Sequence, residues 1–161
     1  MEEKFMLRAI ELAKLAYKKG DVPIGAVIVK DGKIIAEGYN KREKKQNALY
    51  HAEVLAINKA CKKLKSFRLE NCDIYITLEP CPMCCGAIIN ARIENIFFGA
   101  YDKDYGAAGG HYDFPNDKLF GHHPKVVGGI MEEECSKMVK DFFKELRKRK
   151  TKNNWQKHLM F

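Results

Sequence analysis

Over residues 3–19 the apolar positions Phe5 or Met6, Ala9 or Ile10, Ala13, then Ala16 or Tyr17 recur at helical intervals, and Gly20 supplies a stop. The pattern predicts an amphipathic helix. The period then shortens. Residues 24–29 (IGAVIV) and 33–38 (KIIAEG) are β-rich runs joined by Asp31-Gly32, a dipeptide favoured in type I′ turns, and together they predict a hairpin. A helical period returns over residues 51–64, where Val54, Leu55, Ile57 or Asn58 and Cys61 make the apolar face while Lys59, Lys62 and Lys63 point away. Residues 73–78 (DIYITL) and 93–99 (IENIFFG) read as strands flanking a short helix over 82–91, whose Pro82 suits a first turn. That order implies a parallel crossover.

Residues 106–123 are glycine-rich and aromatic with no period, and loops of this length inside compact domains are often functional. Residues 126–129 predict a last short strand. Cys135, Met138, Val139, Phe142, Phe143 and Leu146 then make a stripe on a final helix over 131–150. The sum is an α/β fold, a three-layer α/β/α sandwich with a mixed sheet of about five strands.

The chain has 161 residues, 46% of them apolar and 31% charged, enough for one hydrophobic core and not two. With no repeat, low-complexity tract or linker, one domain over residues 1–150 is expected, followed by a basic tail over 151–161. No apolar stretch reaches the roughly 18 residues of a membrane helix, and the opening MEEKFM is acidic and too weakly apolar for a secretion signal. A cytoplasmic protein is expected. Six cysteines are too few for a disulfide scaffold, and in a reducing compartment closely spaced ones more often hold metal or do chemistry.

The formal charge is +8, of which +6 falls from Lys144 onward. A localised cationic segment suits contact with phosphates, and it equally suits a solvated helix end. The predicted loop Lys41-Arg42-Glu43-Lys44-Lys45 carries four more bases in five residues. It reads the same two ways.

The chemistry concentrates in His51-Ala52-Glu53 and, thirty residues later, Pro80-Cys81-Pro82-Met83-Cys84, each at the start of a predicted helix. Zinc takes imidazole nitrogen and thiolate sulfur; structural sites fill four tetrahedral positions with protein, whereas catalytic sites use three and leave one for water. His51, Cys81 and Cys84 make three. Two residues apart on a helix diverge by about 200°, so His51 and Glu53 reach one centre only if it lies over the helix end. The same holds at Cys81. Two converging helix amino termini would favour thiolate ligands and a bound hydroxide. Zinc in such a site lowers the pKa of bound water from 15.7 toward about 7, and Glu53 is placed to move that water's proton.

Two blander readings compete. One is a closed structural site with Cys85, His111, His122 or His123 as fourth ligand, although Cys85 follows Cys84 directly and turns about 100° away. The other is ordinary buried thiols. Neither explains a glutamate in an H-x-E triplet ahead of P-C-x-x-C.

These motifs resemble those of the zinc-dependent nucleoside and nucleobase deaminases, the cytidine/deoxycytidylate deaminase superfamily. Within it the likeness is to the bacterial tRNA adenosine deaminases, which convert a wobble adenosine to inosine. It runs from the first helix to about Arg147 through VPIGAV (22–27), Gly38-Tyr39-Asn40, TLEPC (77–81), Phe98-Gly99-Ala100, GAAG (106–109) and Asp141-Phe142-Phe143. The resemblance implies a cytidine deaminase-like sandwich forming a homodimer, with one zinc per subunit, attack at C6 of adenine and Glu53 as proton carrier. It also implies Asn40 on the flipped base, Asp102 against the sugar-phosphate, and Phe143 with the basic tail on a tRNA anticodon stem-loop. Each has a plainer alternative: a loop cap for Asn40, a solvated turn for Asp102, a core stripe for Phe143.

The chain departs from that family's pattern just before the histidine. Asn47-Ala48-Leu49-Tyr50 stands where the tRNA enzymes usually carry something near Asp-Pro-Thr-Ala, so two larger side chains are expected at the pocket rim. Tyr50 either stacks on a base, narrows the mouth so that only a free base or nucleoside enters, or packs against a neighbouring subunit. Three functions therefore stand at this level: a tRNA deaminase, a deaminase of free guanine, cytosine or a nucleoside, and a non-catalytic RNA-binding module with structural zinc.

Overall fold

A computed structural model describes residues 2–159, with side chains described over residues 3–153. The first helix, α1 (Glu2–Lys18), ends at Gly20, whose φ is +80°. The hairpin follows as β1 (Gly25–Lys30) and β2 (Lys33–Tyr39). Asp31 and Gly32 both hold positive φ, 50° and 72°, which a type I′ turn requires and which matches the twist of the two strands.

Next come α2 (Arg42–Lys45), α3 (Ala52–Leu64), β3 (Cys72–Leu78), α4 (Pro82–Asn90) and β4 (Asn95–Ala100), then a 3₁₀ turn at Phe114–Asn116, β5 (Lys125–Val127) and α5 (Glu132–Leu159). Among the described residues the sheet has five strands in the order β2-β1-β3-β4-β5. β1 runs antiparallel to β2 and β3, while β3, β4 and β5 are parallel.

The strands read as continuous apolar runs because both faces are covered. Ala26, Ile28, Ile74, Ile76, Ile96 and Phe98 pack with residues of α3 and α4. The opposite parity, Val27, Val29, Tyr75 and Phe97, packs with Phe5 and Leu12 of α1, and α5 joins that side through Cys135 and Met138 against Met6, Ile10 and Ala100. The three-layer sandwich is therefore present. Among the described residues no helix is long and apolar enough to cross a membrane.

Three details differ from the sequence reading. Residues 42–45 form the short helix α2 rather than loop, because the buried Asp21 accepts the N–H of Glu43 at 2.9 Å and supplies a partner to its first turn. Residues 151–159 of the expected tail are helical, α5 running unbroken past Lys150 to Leu159 through a lysine- and arginine-rich sequence with no Gly or Pro to stop it, while residues 160–161 lie outside the described residues. The buried face of α3 is Ala52, Glu53, Ala56 and Ala60, while Val54, Leu55, Ile57 and Cys61 lie only half-buried. Small residues win there because the backbone of β2 comes close. A Cβ added at Gly38 would collide with the carbonyl of Ala52 and come within 2.9 Å of the nitrogen of Ala56.

The same close approach occurs on the other face. A Cβ at Gly25 would overlap the carbonyl oxygen of Ala9 and sit 2.8 Å from the nitrogen of Ala13, both backbone atoms of α1. Because no side chain can yield, Gly25→Ala is expected to destabilise the protein by about 2–3 kcal/mol. Urea unfolding checks this, and a loss below about 0.5 kcal/mol would mean that α1 is free to move off the sheet.

Candidate active site

His51 is the residue that caps the amino end of α3, in extended conformation (φ −76°, ψ 151°), and Cys81 does the same for α4 (φ −69°, ψ 171°). Pro82 fixes the first turn of α4, which brings Cys84 onto the side facing His51. Cys81 Sγ lies 3.8 Å and Cys84 Sγ 3.5 Å from Nδ1 of His51. The three donor atoms fall within 4.8 Å of one another. Both helix amino termini thus converge on one point.

This donor set fits zinc. With Zn–S near 2.3 Å and Zn–N near 2.0–2.1 Å, a tetrahedral centre holds its nitrogen and sulfur donors about 3.5–3.6 Å apart. The other proposed ligands are engaged elsewhere. Cys85 is buried with its thiol directed to the carbonyl of Ala107 at 3.6 Å, and burial pushes it up to about 12. His111 meets the carbonyl of Lys103 at 3.1 Å, His122 that of Ile93 at 2.6 Å and His123 that of Pro115 at 2.8 Å.

The thiols are poised for metal. Hydrogen bonding from Cys84, then from His51, holds Cys81 down to about 4 against the cost of burial. Cys84 is driven far up for the matching reason, the shared bond to Cys81, together with burial. His51 is raised, chiefly by its bond to Cys81. A bound cation would displace the thiol proton that the two sulfurs share.

Glu53 stands two residues on from His51, in the first turn of α3, and is only 3% exposed. Its Oε2 has no hydrogen-bond partner among the described residues. Burial pushes its carboxyl up to about 7, with the Cys81 sulfur adding to the rise and its own backbone bond and His51 opposing. An unpartnered buried carboxyl oxygen is costly to keep, and its position over the metal ligands points to proton transfer rather than stability.

Above these residues opens a cleft of about 690 Å³ lined by His51, Glu53 and Cys81, together with Asn40, Asp102 and Phe143. Asn40 is nearly fully buried. Its Oδ1 accepts the N–H of Ala52 at 2.8 Å, so it does cap α3, and it also lines the cleft. Asp102 is half-buried, and its Oδ1 accepts the N–H groups of Asp104 (3.1 Å) and Tyr105 (3.0 Å). It builds a turn in the cleft wall. Phe143 is 39% exposed, its ring edge-on to Phe142 at 5.5 Å, so it is a wall residue rather than core.

Tyr50 is not among the residues lining the cleft. It is half-buried, with its carbonyl bound by the N–H of Lys41 at 3.0 Å. Leu49 is 57% exposed. Sequence reasoning missed Lys103, Tyr105, Ser136 and Lys140, which also line the cleft, and did not single out Arg42 within its basic segment. They come from three separate stretches of chain, and only the fold brings them together.

Sheet order, converging helix ends and an H-x-E, P-C-x-x-C donor set define a member of the cytidine/deoxycytidylate deaminase superfamily. A profile of MafB19-like deaminases matches residues 1–147, and the chain belongs to that family. A tRNA-specific adenosine deaminase of Bacillus subtilis is 48% identical over 149 residues, covering 92% of each chain. A structure from biochemical and structural studies of A-to-I editing by tRNA:A34 deaminases superposes with a TM-score of 0.82 at 38% identity, over 84% of this chain and 98% of that one. The X-ray structure of a guanine deaminase from Bacillus subtilis is 47% identical with a TM-score of 0.60, over 69% and 70% of the two chains.

Proposed function

We propose that this chain is a tRNA adenosine deaminase that converts the wobble adenosine to inosine. The observation that carries the catalytic part is the unpartnered Oε2 of Glu53, buried beside three metal donors at the floor of an open cleft. A purely structural zinc site has no use for it. Zinc held by His51, Cys81 and Cys84 would supply a Lewis acid that makes water a nucleophile at neutral pH.

Glu53 accepts a proton from the attacking water and delivers it to N1 of the purine. The second water proton follows to the exocyclic nitrogen, which departs as ammonia, leaving inosine. Asn40 donates its amide hydrogens to the base, Asp102 lies against the sugar-phosphate, and Phe143 with the basic end of α5 meets the stem-loop. Arg42, Lys103 and Lys140 add positive charge around the cleft, which suits a polyanionic substrate.

The tRNA substrate is favoured over free guanine by extent of likeness. The tRNA-specific relative aligns over 92% of the chain and the A-to-I deaminase superposes at 0.82, whereas the guanine deaminase covers 69% at 0.60. The same reading includes a cytoplasmic homodimer. The half-buried Val54, Ile57 and Cys61 of α3, beside the 78% exposed Phe67, offer an outward apolar face for a second copy.

Incubation with an anticodon stem-loop and, separately, with a panel of free bases and nucleosides tests the substrate. Inosine is expected in the stem-loop alone, with binding that weakens steeply as salt rises. Turnover confined to guanine or another small molecule would overturn the tRNA reading. Salt-sensitive RNA binding with no turnover of anything would leave only an RNA-binding module.

A further inference from the structure

Glu79 is 2% exposed, and among the described residues no lysine or arginine pairs with it. All three of its side-chain hydrogen bonds come from backbone. Oε2 accepts the N–H of Asp102 at 2.9 Å, and Oε1 accepts those of Ala108 at 3.2 Å and Gly110 at 2.6 Å. The loop after β4 doubles back on itself, with the carbonyl of Gly106 receiving the N–H groups of His111 and Tyr112. Its remaining inward N–H groups converge where only a carboxylate answers them.

Two glycines make this wrapping feasible. A Cβ at Gly106 or at Gly110 would run into the Glu79 carboxylate, and at either position also into the carbonyl of Asp102. The main chain beside Glu79 makes two further links. Its own N–H reaches the carbonyl of Ala100 at 2.8 Å, and the carbonyl of Pro80 receives the N–H of Ala107 at 2.9 Å. Residues 101–105 of this loop form one wall of the cleft, and Glu79 lies two residues before Cys81.

We infer that Glu79 is a positioning residue that locks the 101–110 wall of the cleft to the chain segment carrying Cys81, so that substrate meets a wall already set against the metal donors. Glu79 borders the cleft, but its hydrogen bonds among the described residues all come from the wall's backbone. Its effect is on binding, through the wall, and the inference rests on the deaminase reading above.

Glu79→Gln keeps size and shape but turns one oxygen into a donor facing a donor. It is expected to retain one zinc per chain, to speed amide exchange at Asp102, Ala108 and Gly110 about tenfold or more, and to raise KM for the stem-loop about tenfold with kcat within threefold of the parent. Gly106→Ala, which leaves the carboxylate chemistry intact, is expected to raise KM in the same way and carries the test if the first variant does not fold. A KM within twofold of the parent at full zinc overturns the inference, as does unchanged exchange. Loss of zinc with KM preserved also overturns it, since Glu79 would then serve the metal ligand rather than the wall. A parent enzyme that ignores the stem-loop sinks the tRNA reading instead, and the exchange rates still judge Glu79.

Discussion

Glu53→Gln is expected to hold zinc as the parent does and to make inosine roughly 10²–10⁴-fold more slowly, the range that a positioned proton carrier contributes. The substitution preserves size and polarity in a site where Glu53 is 3% exposed, so a folding defect is not the expected cause. What is lost is the ability to carry two protons in turn, one from the attacking water to N1 and one from the added hydroxyl to the departing nitrogen. Ammonia release on saturating stem-loop, with metal content measured on the same sample, checks this. A rate within tenfold of the parent would remove Glu53 from the chemistry and return the site to a structural role.

Removal of the metal is expected to have the larger effect. A chelator strong enough to strip zinc should lower turnover by more than about 10⁴-fold, because water near pKa 15.7 is a poor nucleophile at neutral pH. Stoichiometric zinc should restore it. Cys84→Ala should behave as the stripped protein does and resist that rescue, since Cys84 is one of three donors and lies only 3.5 Å from Nδ1 of His51. Full activity in the stripped protein, or rescue of Cys84→Ala by equimolar zinc, would contradict the donor assignment. The fold should survive stripping, because both capping residues sit on helices already anchored to a sheet buried on both faces.

What could be read from the sequence was local. The hairpin was legible because Asp31-Gly32 specifies its own turn, and the metal donors because each sits in a short motif at a helix start. The orientation of α3 was not. Its large apolar residues suggested the inner face, yet the nearness of β2 at Gly38 favours small residues where Ala52 and Ala56 meet it, a constraint imposed by another element. Helix α2 depends on Asp21, twenty-two residues upstream of Glu43. Likewise Glu79 was visible as part of E-P-C-P-M-C, but its three partners lie 23 to 31 residues further along in a loop without a period. Tyr50 stood out by size as a rim residue, whereas the fold leaves it outside the cleft lining.

The continuity of α5 has a consequence for how substrates are sorted. Ser136, Val139, Lys140 and Phe143 look into the cleft, and the same rod carries Lys148 and Lys152 onward at about 1.5 Å per residue. The spacing between the cleft wall and Lys152 is therefore set by helical rise along one continuous element. If the proposed tRNA contact holds, a polynucleotide of matching span would reach both ends at once, while a lone nucleoside would fill only the near end.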